Sequence, residues 1–373
     1  VICMGEGEYP LLDLADAVDK KKDFTGIENL WVKKDGRIHK NAIRPLTQDL
    51  DELPFPDREL YAKYFFFRLD TIKVLITSRG CPYNCSYCYN EKLRQMYKDK
   101  GGYLRRRSPK NVIDEINTLK TKRLKTVCFM DDTFTHDRNW LREFLPVYKT
   151  SVNLPFICLG TADRLNDEEM LKMFKDSGCY GIYFGIESGN EEIRTKVLRK
   201  KITNAQILTA AKLLKKYGLK FRAYNMVGLP GETLKSVYET IQLNIDAGTD
   251  FPFCSIYMPY WKTSLCDYAV ERGYLEKKDN LDDFYSSYYG YSMLKMSGIG
   301  EITNLQRFFQ TAVMLPWTFP VIKQLSKLPG NVLYKLWFGI VLFWVISMSE
   351  RRPAYWTFLY GIKNISMLFE RKR

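Results

Sequence analysis

The sequence predicts an α/β protein built on six parallel strands joined by helical crossovers. Three observations carry that prediction. Between residues 73 and about 273, apolar runs of strand length alternate with amphipathic stretches of helical period. Three cysteines spaced C-x3-C-x2-C stand directly after the first of those runs. Acidic and small residues recur just past several others, the place where parallel barrels gather their chemistry.

Taken in order, the strands are expected at Lys73–Thr77, Thr126–Met130, Phe156–Leu159, Gly181–Ile186, Phe221–Val227 and Phe253–Met258. The helices between and after them are expected at Val112–Leu119, Trp140–Tyr148, Glu168–Phe174, Ala205–Tyr217, Leu234–Ile245 and Leu265–Arg272. Ile207, Ala210, Ala211 and Leu214 show the three- and four-residue spacing that places one face against a sheet. Gly178 and Gly218 fall where a helix end needs a left-handed residue. Strand, helix, strand in repetition requires parallel pairing, because only a crossover returns the chain to the same end of the sheet.

Cys81, Cys85 and Cys88 lie in Arg79-Gly80-Cys81-Pro82-Tyr83-Asn84-Cys85-Ser86-Tyr87-Cys88. Three thiolates so spaced can hold three corners of a [4Fe–4S] cluster and leave the fourth iron open for chemistry. A structural zinc site is the alternative. Zinc wants four closed ligands, commonly from paired motifs, and no second Cys or Cys/His pair follows. His39 and His136 are isolated in sequence and are assigned to no metal.

The cysteine spacing, with Tyr87 just before the third thiol, resembles the radical S-adenosylmethionine (SAM) superfamily. The resemblance implies a partial (β/α)6 TIM-like barrel rather than a closed eight-unit one. It also implies that the open iron is chelated by the amino and carboxylate groups of SAM, and that Tyr87 belongs to the cofactor site. By the same matching, Asp131 and Asp132 in Asp-Asp-Thr-Phe approach the methionyl ammonium. Glu187 and Ser188 in Gly-Ile-Glu-Ser-Gly approach the ribose, and Gly228 and Glu232 in Gly-Leu-Pro-Gly-Glu-Thr the adenosine. Arg199 or Lys200 would neutralise the SAM carboxylate, with a solvated helix face as the plainer role for both. Thr233 and Asp167 could be helix caps only. Two departures stand on the substrate side: Pro259-Tyr260-Trp261-Lys262-Thr263 in place of Pro-x-Pro-Gly-Thr, and Thr161 where an arginine is common.

Nearer the N-terminus, Val1–Met4 reads as a short buried strand, followed by Gly5-Glu6-Gly7-Glu8 and a helix over Leu11–Val18. With Leu53-Pro54-Phe55-Pro56, this resembles the cobalamin-binding-domain branch of the superfamily, which includes methyltransferases and anaerobic cyclases. Residues 1–20 are then the remnant of a Rossmann-like cobalamin domain, 21–70 a linker, 71–275 the barrel and 276–373 a helical C-terminal region. One β–α unit cannot enclose a corrin and no Asp-x-His-x-x-Gly motif is present, so cobalamin is expected only with sequence preceding Val1.

Composition sets the remaining bounds. At 373 residues, 46% hydrophobic and 27% charged, the chain is globular, not disordered. Its nine cysteines are spread along a large chain, which suits a reducing cytosol better than a disulfide framework; Cys3, Cys128, Cys158, Cys179, Cys254 and Cys266 read as buried thiols. A net charge of +14 favours anionic partners: a small-molecule substrate, lipid-like or anionic, or headgroups at the inner membrane surface, with no clear nucleic-acid signature. The basic run Lys92–Lys110 is expected either as a solvated lid or as a phosphate contact. Val332–Met348 is borderline in length for crossing a bilayer; a helical cap on the barrel or peripheral membrane association fits it better. The resemblance implies an electron donor such as flavodoxin or ferredoxin, and hydrogen abstraction from an unactivated carbon. Methyl transfer is the leading outcome and cyclisation or rearrangement the runner-up; a non-catalytic metal module docking on membrane or nucleic acid is the rival of another class.

Overall fold

The computed structural model describes residues 1–61, 63–65, 67, 70–121, 123–277 and 288–363. Its centre is a sheet of six parallel strands: β4 (Ile72–Leu75), β7 (Thr126–Phe129), β8 (Phe156–Gly160), β9 (Cys179–Glu187), β10 (Arg222–Val227) and β11 (Phe251–Ile256). They lie side by side in chain order, each pair in parallel register. Since β4 and β11 are the two edges, the barrel is open. The crossovers are α3 (Pro109–Leu119), α4 (Arg138–Ser151), α5 (Glu168–Asp176), α6 (Asn204–Lys216) and α7 (Leu234–Ala247); α8 (Ser264–Glu271) follows β11.

One face of the sheet and its helices enclose the main core, where Phe129 stacks on Phe134 at 4.7 Å and Trp140 on Phe144 at 4.4 Å. Asp167 and Thr233 act as N-caps, accepting from the amides of Met170 at 3.1 Å and Ser236 at 3.3 Å. Gly178 and Gly218 take φ of 87° and 62°, as helix ends require.

The other sheet face is closed from the C-terminal side. After α9 (Ile299–Met314) and α10 (Phe319–Leu325), α11 (Val332–Glu350) sends Val345 into a cluster with Ile157, Tyr183 and Phe251. The Arg222 guanidinium donates to the Ser349 hydroxyl and the Tyr183 hydroxyl to the Ser349 carbonyl. Arg352 then pairs with Glu350 at 2.7 Å and with Asp70. The apolar run therefore does cap the barrel, and α12 (Ala354–Lys363) packs beside it. Arg371, Lys372 and Arg373, and the end of the aromatic segment towards Phe369, lie outside the described residues.

The N-terminal part departs from expectation. β1 (Ile2–Cys3) is exposed, with Val1 and Ile2 each at 62%, and pairs antiparallel with β2 (Leu30–Lys34), which forms a hairpin with β3 (Arg37–Lys40). The segment expected as linker thus supplies the strand's partner, and nothing covers its apolar residues among the described ones. The following helix α1 (Glu8–Asp19) leaves Leu11, Leu12 and Val18 exposed. Accordingly Cys3 is exposed and Cys128 half-buried, whereas Cys158, Cys179, Cys254 and Cys266 are buried as expected.

Candidate active site at the barrel rim

The rim is assembled on the turn after β4. Asp131, at the end of β7, is buried and turns its Oδ1 to the Thr77 amide at 2.9 Å, the Thr77 hydroxyl at 2.8 Å and the Ser78 hydroxyl. Burial pushes its carboxyl above the usual range, against these hydrogen bonds and the Arg106 guanidinium. Asp131 therefore aims the chain leaving β4 into β5 (Ser78–Arg79), which pairs antiparallel with β6 (Arg105–Arg106), while Asp132 is exposed and accepts from the Asn90 amide at 3.2 Å.

From β5 the chain enters the loop carrying Cys81, Cys85 and Cys88, then α2 (Asn90–Met96). Arg94 on α2 reaches back to the carbonyls of Cys81 and Tyr83, fastening the loop's first half. Ser86 fastens the second half, with its amide on Leu198 O at 3.0 Å and its hydroxyl on Val197 O at 2.7 Å. All three thiols are free and half-buried. Cys81 lies 3.8 Å from the Thr133 hydroxyl, and Asn90 donates to Cys88 Sγ at 3.5 Å. Burial raises the Cys81 thiol and pushes Cys85 up to about 11, so both are protonated near neutrality and loading a cluster must displace their protons. Among the described residues no three His, Cys, Asp or Glu side chains close around the volume of a single metal ion. Three soft donors on one clamped loop, none of them in a disulfide, fit a cluster, whose ligands each bind a separate iron.

Behind the loop, Glu187 ends β9 at φ 66° and is 8% exposed. Its Oε1 accepts from Tyr87 at 3.0 Å and from Lys200 at 2.9 Å. Burial alone would lower the Lys200 ammonium, but Glu187 beside it holds it above its usual range. Burial and the Glu187 charge push the Tyr87 phenol well up. The pair needs Gly185, because a Cβ there would sit 1.7 Å from Glu187 Oε1 and 2.7 Å from Lys200 Nζ. Ser188 is fully buried; its hydroxyl accepts from the Asn190 amide at 3.3 Å.

Glu232 is buried too, and its Oε2 accepts from the amides of Gly228 at 2.6 Å and Leu229 at 3.2 Å, closing the turn after β10. Burial lifts its carboxyl to about 8 despite those donors. A folded-state value above the unfolded one means the native state holds a proton that the unfolded chain has lost. Stability is therefore expected to fall as pH rises towards and through about 8, and Glu232→Gln to flatten that slope in chemical denaturation across pH 5–9. An unchanged slope would show that the turn tolerates the charge.

Of the residues matched from sequence, Tyr87, Glu187 and the cysteine loop come together, and Lys200 joins them. Arg199 does not: its side chain is 51% exposed and lies 3.3 Å from Glu91. A φ of 52° at Arg199 turns the two neighbours to opposite sides. At its centre the basic run is held by protein partners and is not a solvated lid. Arg105 pairs with Glu6 at 2.9 Å, Arg106 stacks on Trp140 at 4.5 Å, and Arg107 pairs with Glu115 at 2.6 Å. Glu6 also takes Arg79 at 2.8 Å, so the Gly-Glu-Gly-Glu turn is bolted to the strand that launches the cysteine loop. Sequence reading missed this link, together with Arg94 and the fully buried Arg194, which donates to Ser188 O and Ile202 O at 2.6 Å each. The opposite charges flanking the two motifs were the available signal for the first.

Fold and rim together define an open parallel β/α barrel with three thiols on one clamped loop at its rim. The chain carries a radical SAM domain: residues 75–243 match the Radical SAM superfamily. An uncharacterized methyltransferase of Pyrococcus horikoshii is 32% identical over 280 residues, covering 74% of this chain and 59% of that protein. The anaerobic magnesium-protoporphyrin IX monomethyl ester cyclase of Rubrivivax gelatinosus is 28% identical over 343 residues, covering 87% and 59%. The chain thus spans about three fifths of the length of these relatives. In fold it is similar to the radical SAM methyltransferase TsrM from Kitasatospora setae, solved with cobalamin and a [4Fe–4S] cluster bound, at a TM-score of 0.55 and 18% identity over 72% of this chain and 53% of that one.

Proposed function

We propose that this chain is the SAM-cleaving part of a radical enzyme that methylates an unactivated carbon of a small molecule. The observation that carries the reading is the loop of Cys81, Cys85 and Cys88: three free thiols, clamped at both halves, beside the buried Glu187–Lys200 pair. Cys81, Cys85 and Cys88 would hold a [4Fe–4S] cluster, which when bound would supply the single electron for reductive cleavage of the SAM C5′–S bond to methionine and a 5′-deoxyadenosyl radical. The chain's own residues hold and orient. Arg94 and Ser86 fix the loop, Asp131 aims it, and Tyr87 and Lys200 hold Glu187 where it can meet the ribose hydroxyls. A low-potential protein such as flavodoxin or ferredoxin in a reducing cytoplasm supplies the electron.

Methyl transfer is supported by the methyltransferase names of the Pyrococcus and Kitasatospora proteins. A radical cyclisation or rearrangement is the second reading, favoured by the extent of the Rubrivivax match, which reaches 87% of the chain against 74%. Anaerobically reconstituted protein given SAM and a strong reductant should form 5′-deoxyadenosine and methionine. In a form extended at the N-terminus and supplied with cobalamin and substrate, S-adenosylhomocysteine accompanying them marks methyl transfer, and its absence marks the second reading. Stoichiometric zinc with no 5′-deoxyadenosine would refute both and leave a non-catalytic metal module.

Cobalamin does not fit these residues by themselves. A corrin needs two opposing surfaces, and before the barrel the described residues form one helix beside a small antiparallel sheet. Residues 1–20 read as the end of a cobalamin domain only if a longer chain completes it. The 373-residue chain is therefore expected to bind cobalamin weakly or not at all, and a form extended at the N-terminus to bind it, by equilibrium dialysis. Tight stoichiometric binding by the present chain would overturn that expectation.

A further inference from the structure

α11 is apolar around nearly its whole circumference, yet among the described residues one side of it is exposed, with the Trp337 indole donating to the Thr311 hydroxyl at 2.9 Å. By length and composition it could cross a membrane, and little of it is buried. Val345 and Ser349 face the sheet, and Phe338 is buried with its ring 5.2 Å from that of Tyr289. Leu333, Trp337, Ile340, Trp344 and Met348 form a continuous exposed stripe at spacings of three and four. A helix without a polar face is ordinarily enclosed in a protein core or lies against lipid. The stripe continues onto α12, where Phe358 and Ile362 are exposed and Phe358 meets Phe343 at 6.5 Å.

We propose that the exposed face of α11 and α12 seats this protein on an anionic bilayer, with α11 lying in the headgroup plane. Charge and aromatic content decide the occupant. Of the chain's seven tryptophans, Trp337 and Trp344 lie on the stripe and Trp317, 76% exposed, precedes α10; this side chain prefers the boundary between water and hydrocarbon. Lys323 and Lys327 stand on and just after α10, whose end accepts from the Tyr334 hydroxyl at 3.1 Å, and Arg351 stands at the far end of α11. Lysine is depleted at protein–protein interfaces but is attracted to anionic headgroups, as is a chain of net charge +14.

Polar ties decide between lying on the bilayer and crossing it. Ser349 is held by Tyr183 and Arg222, and Glu350 and Arg352 form a charged cluster with Asp70. A span would either break these ties or pull the charges into hydrocarbon, whereas an interfacial helix keeps them in place. The proposal goes beyond the catalytic reading and does not depend on it.

The test uses the full chain and vesicles of phosphatidylcholine, alone or mixed with phosphatidylglycerol. The wild type should sediment with the mixed vesicles, less so at high salt, and lipids brominated on their acyl chains should quench its tryptophan fluorescence. Ile340→Glu with Trp344→Glu should weaken the partitioning about tenfold or more, with the circular dichroism spectrum unchanged. No sedimentation with mixed vesicles, or no quenching by brominated acyl chains, would overturn the proposal. A stable dimer that the double variant dissociates would overturn it in favour of a second copy of the chain. Production of 5′-deoxyadenosine by the wild type is read separately, so failure of the radical reading cannot be mistaken for failure of this one.

Discussion

Alanine at Cys81, Cys85 or Cys88 is expected to abolish reductive cleavage of SAM while leaving the barrel folded. Each thiolate binds one iron, so a single loss leaves two ligands on a cluster that already has one open corner. The loop should survive because its fastenings do not use sulfur. Arg94 grips the backbone carbonyls of Cys81 and Tyr83, and Ser86 grips Val197 and Leu198. A half-buried Cys→Ala change away from the core should cost on the order of 1 kcal/mol or less. Thermal unfolding and 5′-deoxyadenosine production measured on the same samples check both halves. A variant that retained cleavage would remove that cysteine from the ligand set.

Glu187→Gln is expected to weaken SAM binding about ten- to a hundredfold, the ~1.5–3 kcal/mol carried by a charge-assisted contact to the ribose. The geometry adds a second effect. Lys200 Nζ lies 2.9 Å from Glu187 Oε1 with both side chains nearly enclosed, at 8% and 11% exposure. Neutralising the carboxylate strands a buried ammonium, which costs roughly 3–5 kcal/mol where a buried pair is broken from one side. Pairing Glu187→Gln with Lys200→Met separates the two. Stability should recover in the double variant because no charge is left unpaired, whereas SAM affinity should stay low. Isothermal titration of a stable SAM analogue and denaturant melts of the four forms supply the cycle. Recovery of affinity along with stability would make Glu187 a purely structural residue.

Much of this protein was legible in its sequence, for a physical reason that differs from element to element. The strands and crossovers were visible because burial against a sheet imposes a local period, as at Ile207, Ala210, Ala211 and Leu214 on α6. Asp167 and Thr233 were readable as caps because an N-cap bonds an amide three residues on. The cysteine loop was readable because its three donors fall within one turn of chain. Each of these signals is complete within a few residues.

The roles that stayed hidden depend on partners far along the chain or on a single backbone torsion. Asp131 is matched to the cofactor site by resemblance alone; that its Oδ1 holds Thr77, fifty-four residues away, was set by the parallel pairing of β4 with β7. Arg105, Arg106 and Arg107 fitted a solvated lid and a phosphate contact equally, because a run of cations by itself separates neither, but Glu6, Trp140 and Glu115 each take one of them. Between Arg199 and Lys200 the sequence was even-handed, and φ of 52° at Arg199 sends one outward and the other to Glu187. Periodicity and spacing are short-range properties and are written in the order of residues. The pairing of distant charges, and the side to which a residue turns at a strand's end, are properties of the assembled sheet, and only the tertiary structure decided them.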